Sequence, residues 1–201
     1  MQESNDTIQI ALGDAILTIP AVSLVTAWIA QTLAPAAPVA AALTPPRIGT
    51  EWPGEGGIYA GIIRGAAGRP DYHLIVPTAD DAAVEEVKFG RDTDVPSATS
   101  DYDGRANTIA LVNAGGFPAA EWAHSLAIGP HSDFYLPARH ELRLMWLNVP
   151  ELFEKAWHWS STQYAAYPYD AWGQDFDDGG QGNFHKSYAG RARAVRRLTI
   201  Q

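Results

Sequence analysis

Residues 133–142 read Asp-Phe-Tyr-Leu-Pro-Ala-Arg-His-Glu-Leu. Further on come Trp157-His-Trp-Ser-Ser-Thr, Ala171-Trp-Gly-Gln-Asp-Phe and Arg191-Ala-Arg-Ala-Val-Arg-Arg-Leu. Tryptophan, glycine and arginine recur there without helical periodicity. Turns and side-chain hydrogen bonds, and not one apolar stripe, must therefore hold the segment from Asp133 to Leu198. What precedes it reads as a frame on which that segment is displayed as a surface.

Within the segment, Pro137 starts a helix that places Leu142, Met145 and Trp146 together, and Pro150 ends it. Glu151 to Lys155 is a brief helical turn. Trp157 to Thr162, Ala171 to Phe176, Asn183 to Ser187 and Ala192 to Thr199 are strand candidates, with Asp177-Asp-Gly-Gly-Gln-Gly as a turn. Upstream, Glu51-Trp-Pro-Gly-Glu-Gly-Gly is a turn cluster without the spacing of a phosphate loop. Ile58 to Arg64 and Tyr72 to Val76 read as a hairpin around a longer loop. Thr78 with Asp81 signals a short helix, on which Glu85 and Glu86 form a solvated face. Lys88 to Asp101 reads as an ordered loop. Asp103 caps a helix through about Val112 that Gly115-Gly116 stops, and Pro118 opens another through about Leu126.

The N-terminal region has a different character. Thr7 to Ile19 alternates around Gly13-Asp14, a two-residue hairpin signal. Pro20 then opens an apolar helix to about Leu33. A hairpin and one helix are too small to bury themselves. They either pack on the main domain or join other chains. Ala34 to Pro46 is an Ala/Pro-rich extended linker. The domain reading is residues 1–33 as a hairpin-helix attachment or oligomerisation module, 34–47 as linker, and 48–201 as the main domain.

The 201 residues suffice for one sizeable core, and 18 glycines and 14 prolines mark many turns. A net charge of −9 argues against nucleic-acid partners. No cysteine is present, so disulfides, thiolate metal sites and thiol nucleophiles are excluded. The uncharged run from Ala15 to Pro46 has no basic n-region, and prolines interrupt it, which argues against both a signal peptide and membrane insertion. The six histidines show no zinc spacing. Ser160 and Ser161 lack nucleophile-elbow glycines. No catalytic residues are expected.

Leu-Pro-Ala-Arg-x-Glu-Leu at 136–142, Trp-Ser-Ser-Thr at 159–162, Ala-Trp-x-x-x-Phe at 171–176 and Arg-x-Arg-Ala-Val-Arg-Arg at 191–197 together resemble the C-type-lectin-like domains of phage tail tips and bacterial adhesins. The stretch from Trp52 to Gly61 and Asp71-Tyr-His-Leu-Ile-Val-Pro resemble the opening hairpin of phage-encoded members. The resemblance covers roughly Ile48 to Leu198. It implies an α+β fold with antiparallel sheets braced by two or more helices, paired terminal strands and a long loop-rich binding face. Gly57 to Arg64 would lie beside Ala192 to Thr199. The superfamily also contains formylglycine-generating enzymes, whose cysteines this chain lacks.

The resemblance further implies a phage or prophage tail-tip receptor-binding protein in the virion. Its partners would be a host-surface glycan or protein and other tail proteins, and it would be a homo-oligomer, with a trimer expected from relatives. The other readings are a structural virion component and a formylglycine-type enzyme. Trp157, Trp159, Trp172, Arg139, Glu141, Ser160, Ser161, Arg193 and Arg196 fall at motif positions and read as frame. The clustered arginines either pair with carboxylates or form an anion site.

Between the motif positions lie the candidate ligand-binding residues Tyr164, Tyr167, Tyr169, Asp170, Asp177, Gln181, Asn183, His185 and Tyr188, together with Asp175, Asp178 and Lys186. Aromatic faces cover apolar surface at low entropy cost, while amides and acids fix orientation. Polar solvated loops would have the same composition. Asp175-Phe-Asp-Asp before glycines invites a calcium reading, which turn chemistry explains equally well. No cofactor is otherwise expected.

Overall fold

A computed structural model describes residues 7–12, 15–20, 44–65 and 68–200. The chain divides into two compact units, Met1–Thr44 and Pro45–Gln201. In the first, β1 (Thr7–Leu12) and β2 (Ala15–Pro20) are antiparallel. Leu12 pairs with Ala15, and apolar pairs such as Ile10–Leu17 alternate with Gln9–Thr18, as the period-two pattern requires. Pro20, expected to open a helix, is instead the last residue of β2, and the rest of that expected helix, to about Leu33, and the linker from Ala34 as far as Leu43 lie outside the described residues. Among those described, no helix is long and apolar enough to cross a membrane.

The second unit is α+β. One antiparallel sheet contains β3 (Glu51–Trp52), β4 (Gly57–Ile63), β5 (Tyr72–Val76) and β11 (Arg196–Thr199), in the order β11-β5-β4-β3. The other contains β6 (Ala83–Lys88), β7 (Trp157–Gln163), β8 (Asp170–Asp175), β9 (Gln181–His185) and β10 (Ala189–Arg193), in the order β6-β10-β7-β8-β9. Three helices brace them: α1 (Gly104–Ala114), α2 (Pro118–Ser125) and α3 (Arg139–Asn148). Asp103 caps α1 by accepting from the Ala106 amide at 2.9 Å. Gly115 ends it at φ +71°, a conformation in which a Cβ is disfavoured.

Leu142 and Met145 of α3, with Val149 just past its end, pack on Tyr72, Leu74 and Val76. α1 and α2 cover the second sheet with Leu111, Phe117 and Ala120 against Trp159 and Ala171. A bulge in β4 between Tyr59 and Gly61 receives the end of α3, where Asn148 Nδ2 donates to the Ala60 carbonyl at 2.7 Å. Gly61 sits there at φ +126°, and a Cβ on it would stand 2.9 Å from that amide nitrogen.

Three expectations need correction. Residues 192–199 are not one strand. After β10, Ala194 donates to the Ala82 carbonyl at 2.9 Å, Val195 exchanges two backbone hydrogen bonds with Tyr135, and β11 then joins the other sheet. The doublets Ala194-Val195 and Arg196-Arg197 break the alternation at that crossover, a break that the reading as one strand passes over. Gly57 to Arg64 does not lie beside the C-terminal strand, because β5 stands between β4 and β11. Glu85 and Glu86 are solvent-facing but on a strand. The Thr78 and Asp81 signal yields a single 3-10 turn, Asp80–Ala82, and the chain becomes extended at Ala83.

The frame converges on Glu141, which is fully buried. Its Oε1 accepts from the Tyr72 hydroxyl at 2.6 Å and the Tyr135 hydroxyl at 2.8 Å, while Oε2 accepts from the Ala138 amide at 2.6 Å. Burial raises the carboxyl above its usual range, and these three hydrogen bonds oppose that shift without cancelling it. Burial first, and the Glu141 carboxyl second, hold both tyrosines above the phenol range. Removing the carboxyl orphans the Tyr135 hydroxyl and the Ala138 amide in the core, while the Tyr72 hydroxyl can turn to the Tyr102 carbonyl at 2.9 Å. Glu141→Ala should therefore lower unfolding free energy by about 3–5 kcal/mol, read by denaturant titration.

His158 is buried, with Nδ1 3.0 Å from the Ala156 carbonyl and its ring edge-on to Phe153 and Phe176. Burial, with smaller help from Arg191 and Arg193, lowers its pKa from 6.5 to about 4. Between those values the unfolded chain takes up a proton that the folded chain refuses, so this contribution to stability is lost as pH falls through that window. Unfolding midpoints measured from neutral pH down to the lower limit should show that loss, and His158→Gln should reduce it.

Candidate ligand-binding surface

The second sheet determines which predicted residues meet. In β8 and β9, Trp172 pairs with Asn183, Asp170 with His185 and Gln174 with Gln181, so these lie on one face. Ala171, Gly173, Gly182 and Phe184 lie on the other. On the first face the Arg139 guanidinium stacks 3.7 Å from the Trp172 ring centroid. Its Nε donates to Gln181 Oε1 at 3.0 Å, and Gln181 Nε2 returns a bond to the Arg139 carbonyl at 2.9 Å. Tyr164 meets Trp172 edge-on at 5.2 Å and Tyr167 lies 5.6 Å from Tyr164. Asn183 Nδ2 donates to Asp170 Oδ2 at 2.7 Å. Tyr164, Tyr167, Asp170, Gln181 and Asn183 thus form one cluster, joined by Arg139 and Trp172. Those two were expected as frame, yet both stay partly exposed on this surface.

The loop between β7 and β8 makes two backbone turns, Tyr167 N to Tyr164 O at 3.2 Å and Asp170 N to Tyr167 O at 3.0 Å. Lys186 holds it from beneath. Expected among the surface polar residues, Lys186 is instead 0% exposed. Its Nζ donates to the Thr93 carbonyl at 2.9 Å, and also to Gln163 Oε1 and the Pro168 carbonyl. The ammonium lies 5.7 Å from the Phe89 ring centroid and 5.9 Å from that of Phe117. Desolvation lowers its pKa to about 8, against the pull of Asp94, Asp92 and Asp170. Above this anchor, Tyr167 is 59% and Tyr169 53% exposed.

Of the remaining predicted residues, His185 shares the first face, opposite Asp170, while Tyr188 and Asp177 lie apart. His185 bonds through Nδ1 to Ser187 Oγ at 2.8 Å and stands 3.7 Å from Asp92. Tyr188 is 64% exposed and borders a slot beside Trp157 on the opposite sheet face. Asp177 is in the β8–β9 turn, the length of β8 away from the tyrosine loop, or about 17 Å. That turn follows turn chemistry: Asp175 Oδ1 accepts from the Asp177 amide at 2.8 Å, and Asp178 Oδ1 from the Gly180 amide at 2.7 Å. Among the described residues no three His, Asp or Glu side chains come together to hold a metal ion.

The arginine cluster resolves into separate pairs. Arg196 binds Glu55 at 2.7 Å and Asp133 at 2.9 Å, Arg197 binds Asp103 at 2.9 Å, and Arg193 donates to the Pro77 carbonyl at 2.9 Å. Alternation along the chain sends these guanidiniums to different partners. Sequence reasoning missed the exposure of Trp157, 36%. Trp157 pairs with Asp175, and its indole lies diagonally over glycines 173 and 182, an arrangement that only the register reveals. No protein-family model matches the chain, and no curated protein matches it.

Lys186→Met keeps the buried stem but leaves three acceptor oxygens without their donor. It should cost about 2–4 kcal/mol of stability, read by thermal or denaturant unfolding.

Proposed function

We propose that this chain is a receptor-binding protein of a phage or prophage tail tip, with a C-type-lectin-like second unit that recognises a host-surface glycan or protein. The observation that carries the reading is a set of exposed tyrosines on turns that are themselves pinned. Tyr167 and Tyr169 stand in solvent above a loop tied to the buried Lys186. Ordered aromatic side chains lose little entropy on contact, which suits recognition more than solvation. Trp172 with Arg139 extends the surface by a planar cation on an indole. The Asp170–Asn183 pair offers further acceptors and donors at its edge.

In this reading the protein acts by binding and not by catalysis. The β1–β2 hairpin, too small to bury an apolar face by itself, attaches the chain to its sister chains, as a trimer, or to another tail protein. The working location is the virion.

The test is adsorption of the purified full chain to candidate host cells. Wild type should bind saturably. The double variant Tyr167→Ala with Tyr169→Ala, altered only at exposed positions, should bind at least about tenfold more weakly while its melting temperature stays unchanged. Wild type that adsorbs to no host surface, or a double variant that adsorbs equally well, contradicts the reading.

A further inference from the structure

On the sheet face opposite the Tyr164–Trp172 cluster, a cavity of about 340 Å³ opens between β7, β8 and β10. Trp157, Trp159, Phe184 and Tyr188 wall it, and Gly173 and Gly190 form its floor. The Trp157 and Phe184 rings meet edge-on at 4.5 Å and 70°, and Trp159 meets Phe184 at 6.3 Å and 82°. The glycines are necessary to this shape. A Cβ at 190 would stand 2.9 Å from Trp159 Nε1, and one at 173 would stand 3.1 Å from the His158 carbonyl oxygen and touch the Trp157 indole at 3.4 Å.

The slot has little left to offer a ligand by hydrogen bonding. Trp159 Nε1 already donates to the Val87 carbonyl at 3.1 Å, and His158 Nδ1 lies 3.0 Å from the Ala156 carbonyl. A saccharide needs several placed donors and acceptors to fix its hydroxyls, and here the Trp157 indole N–H and the Tyr188 hydroxyl are the groups at the slot mouth left to act. A second cavity of about 330 Å³ shares Trp157, Ala189 and Gly190 with the first, and Glu85, Glu86 and Arg191 line it. Two carboxylates against one guanidinium leave one excess negative charge on the lining itself, with Lys88, the register partner of Ala189, the next cation along β6. Neither glutamate makes an ion pair among the described residues. His158 adds no opposing charge near neutral pH, since its pKa lies at about 4.

Aromatic faces, engaged polar atoms and an acidic margin define one ligand chemistry. We propose that the Trp157 slot binds a quaternary trimethylammonium group, carried either by choline or by a methylated lysine. Such a group has no hydrogen-bonding atoms to satisfy, and its spread positive charge is attracted to π faces and to nearby carboxylates. The slot and the tyrosine loop occupy opposite faces, so this site stands or falls independently of the receptor surface proposed above.

The test titrates the full chain with choline chloride, with Nε-trimethyl-lysine, and with the neutral isostere of choline in which carbon replaces the ammonium nitrogen. Tryptophan emission and the Trp157 indole NMR resonance are followed. Either cation should bind saturably and at least about fivefold more tightly than the isostere, and the tighter of the two names the carrier. Glu85→Gln with Glu86→Gln, and separately Tyr188→Ala, should each weaken binding severalfold with the fold intact by circular dichroism. Tyr167→Ala on the other face should leave it unchanged. Equal binding of the isostere, no saturable change with either cation, or binding that survives both sets of substitutions overturns the proposal.

Discussion

One buried carboxyl group ties together elements that are far apart in the chain. Glu141 receives hydroxyls from Tyr72 on β5 and from Tyr135 in the extended stretch before α3, and the amide that starts α3. A carboxyl in a dry core is costly unless its lone pairs are met. The three donors can meet it only if β5, the crossover at Val195 and the N-terminus of α3 are all in register. The interaction therefore works as a fit condition on the whole unit. Gly104, at the start of α1, allows that helix to close over the same spot, because a Cβ there would collide with the carboxyl.

The same logic extends outward from the core. Arg196 is buried between Glu55 and Asp133, and so locks the opening turn cluster to the last strand. Lys186 is buried between the 91–95 loop and the β7–β8 loop. In each case a long cationic side chain, buried and held by several hydrogen bonds, ties together loops that are distant in sequence. Such contacts add less net stability than an apolar core of the same size, but they specify one geometry. A surface presented on loops needs that specificity, since a partner that must first order its target loses affinity in doing so.

Much of this was legible in residues. The caps and stops of α1 and α2 followed from Asp103, Gly115 and Pro118, and the β4–β5 hairpin from its alternation. The α+β class followed from the order of motifs. Three kinds of feature were not legible. The split of residues 189–199 into strands of two sheets depends on a crossover at Ala194–Val195, where the alternation breaks without saying which sheet each half joins. The burial of Lys186 depends on loops distant in sequence meeting over it, and a lysine between His185 and Ser187 carries no local sign of that. The fate of Trp157, a motif tryptophan with a surface to offer, depends on glycines from two other strands. Of the candidate surface, the loop tyrosines are named by composition, Trp172 and Arg139 read as frame, and Asp177 belongs to a turn at the far end of the hairpin.

The central claim is that the segment from Gln163 to Tyr188 is a rigid platform and not a set of solvated loops. Native-state hydrogen exchange on the full chain tests it most directly. The Tyr164, Asp170 and Lys186 amides are each engaged by a backbone carbonyl. The account predicts that they exchange slowly, with protection close to that of the β7 core strand. Exchange of these amides at the rate of an unstructured chain, while β7 stays protected, would contradict it.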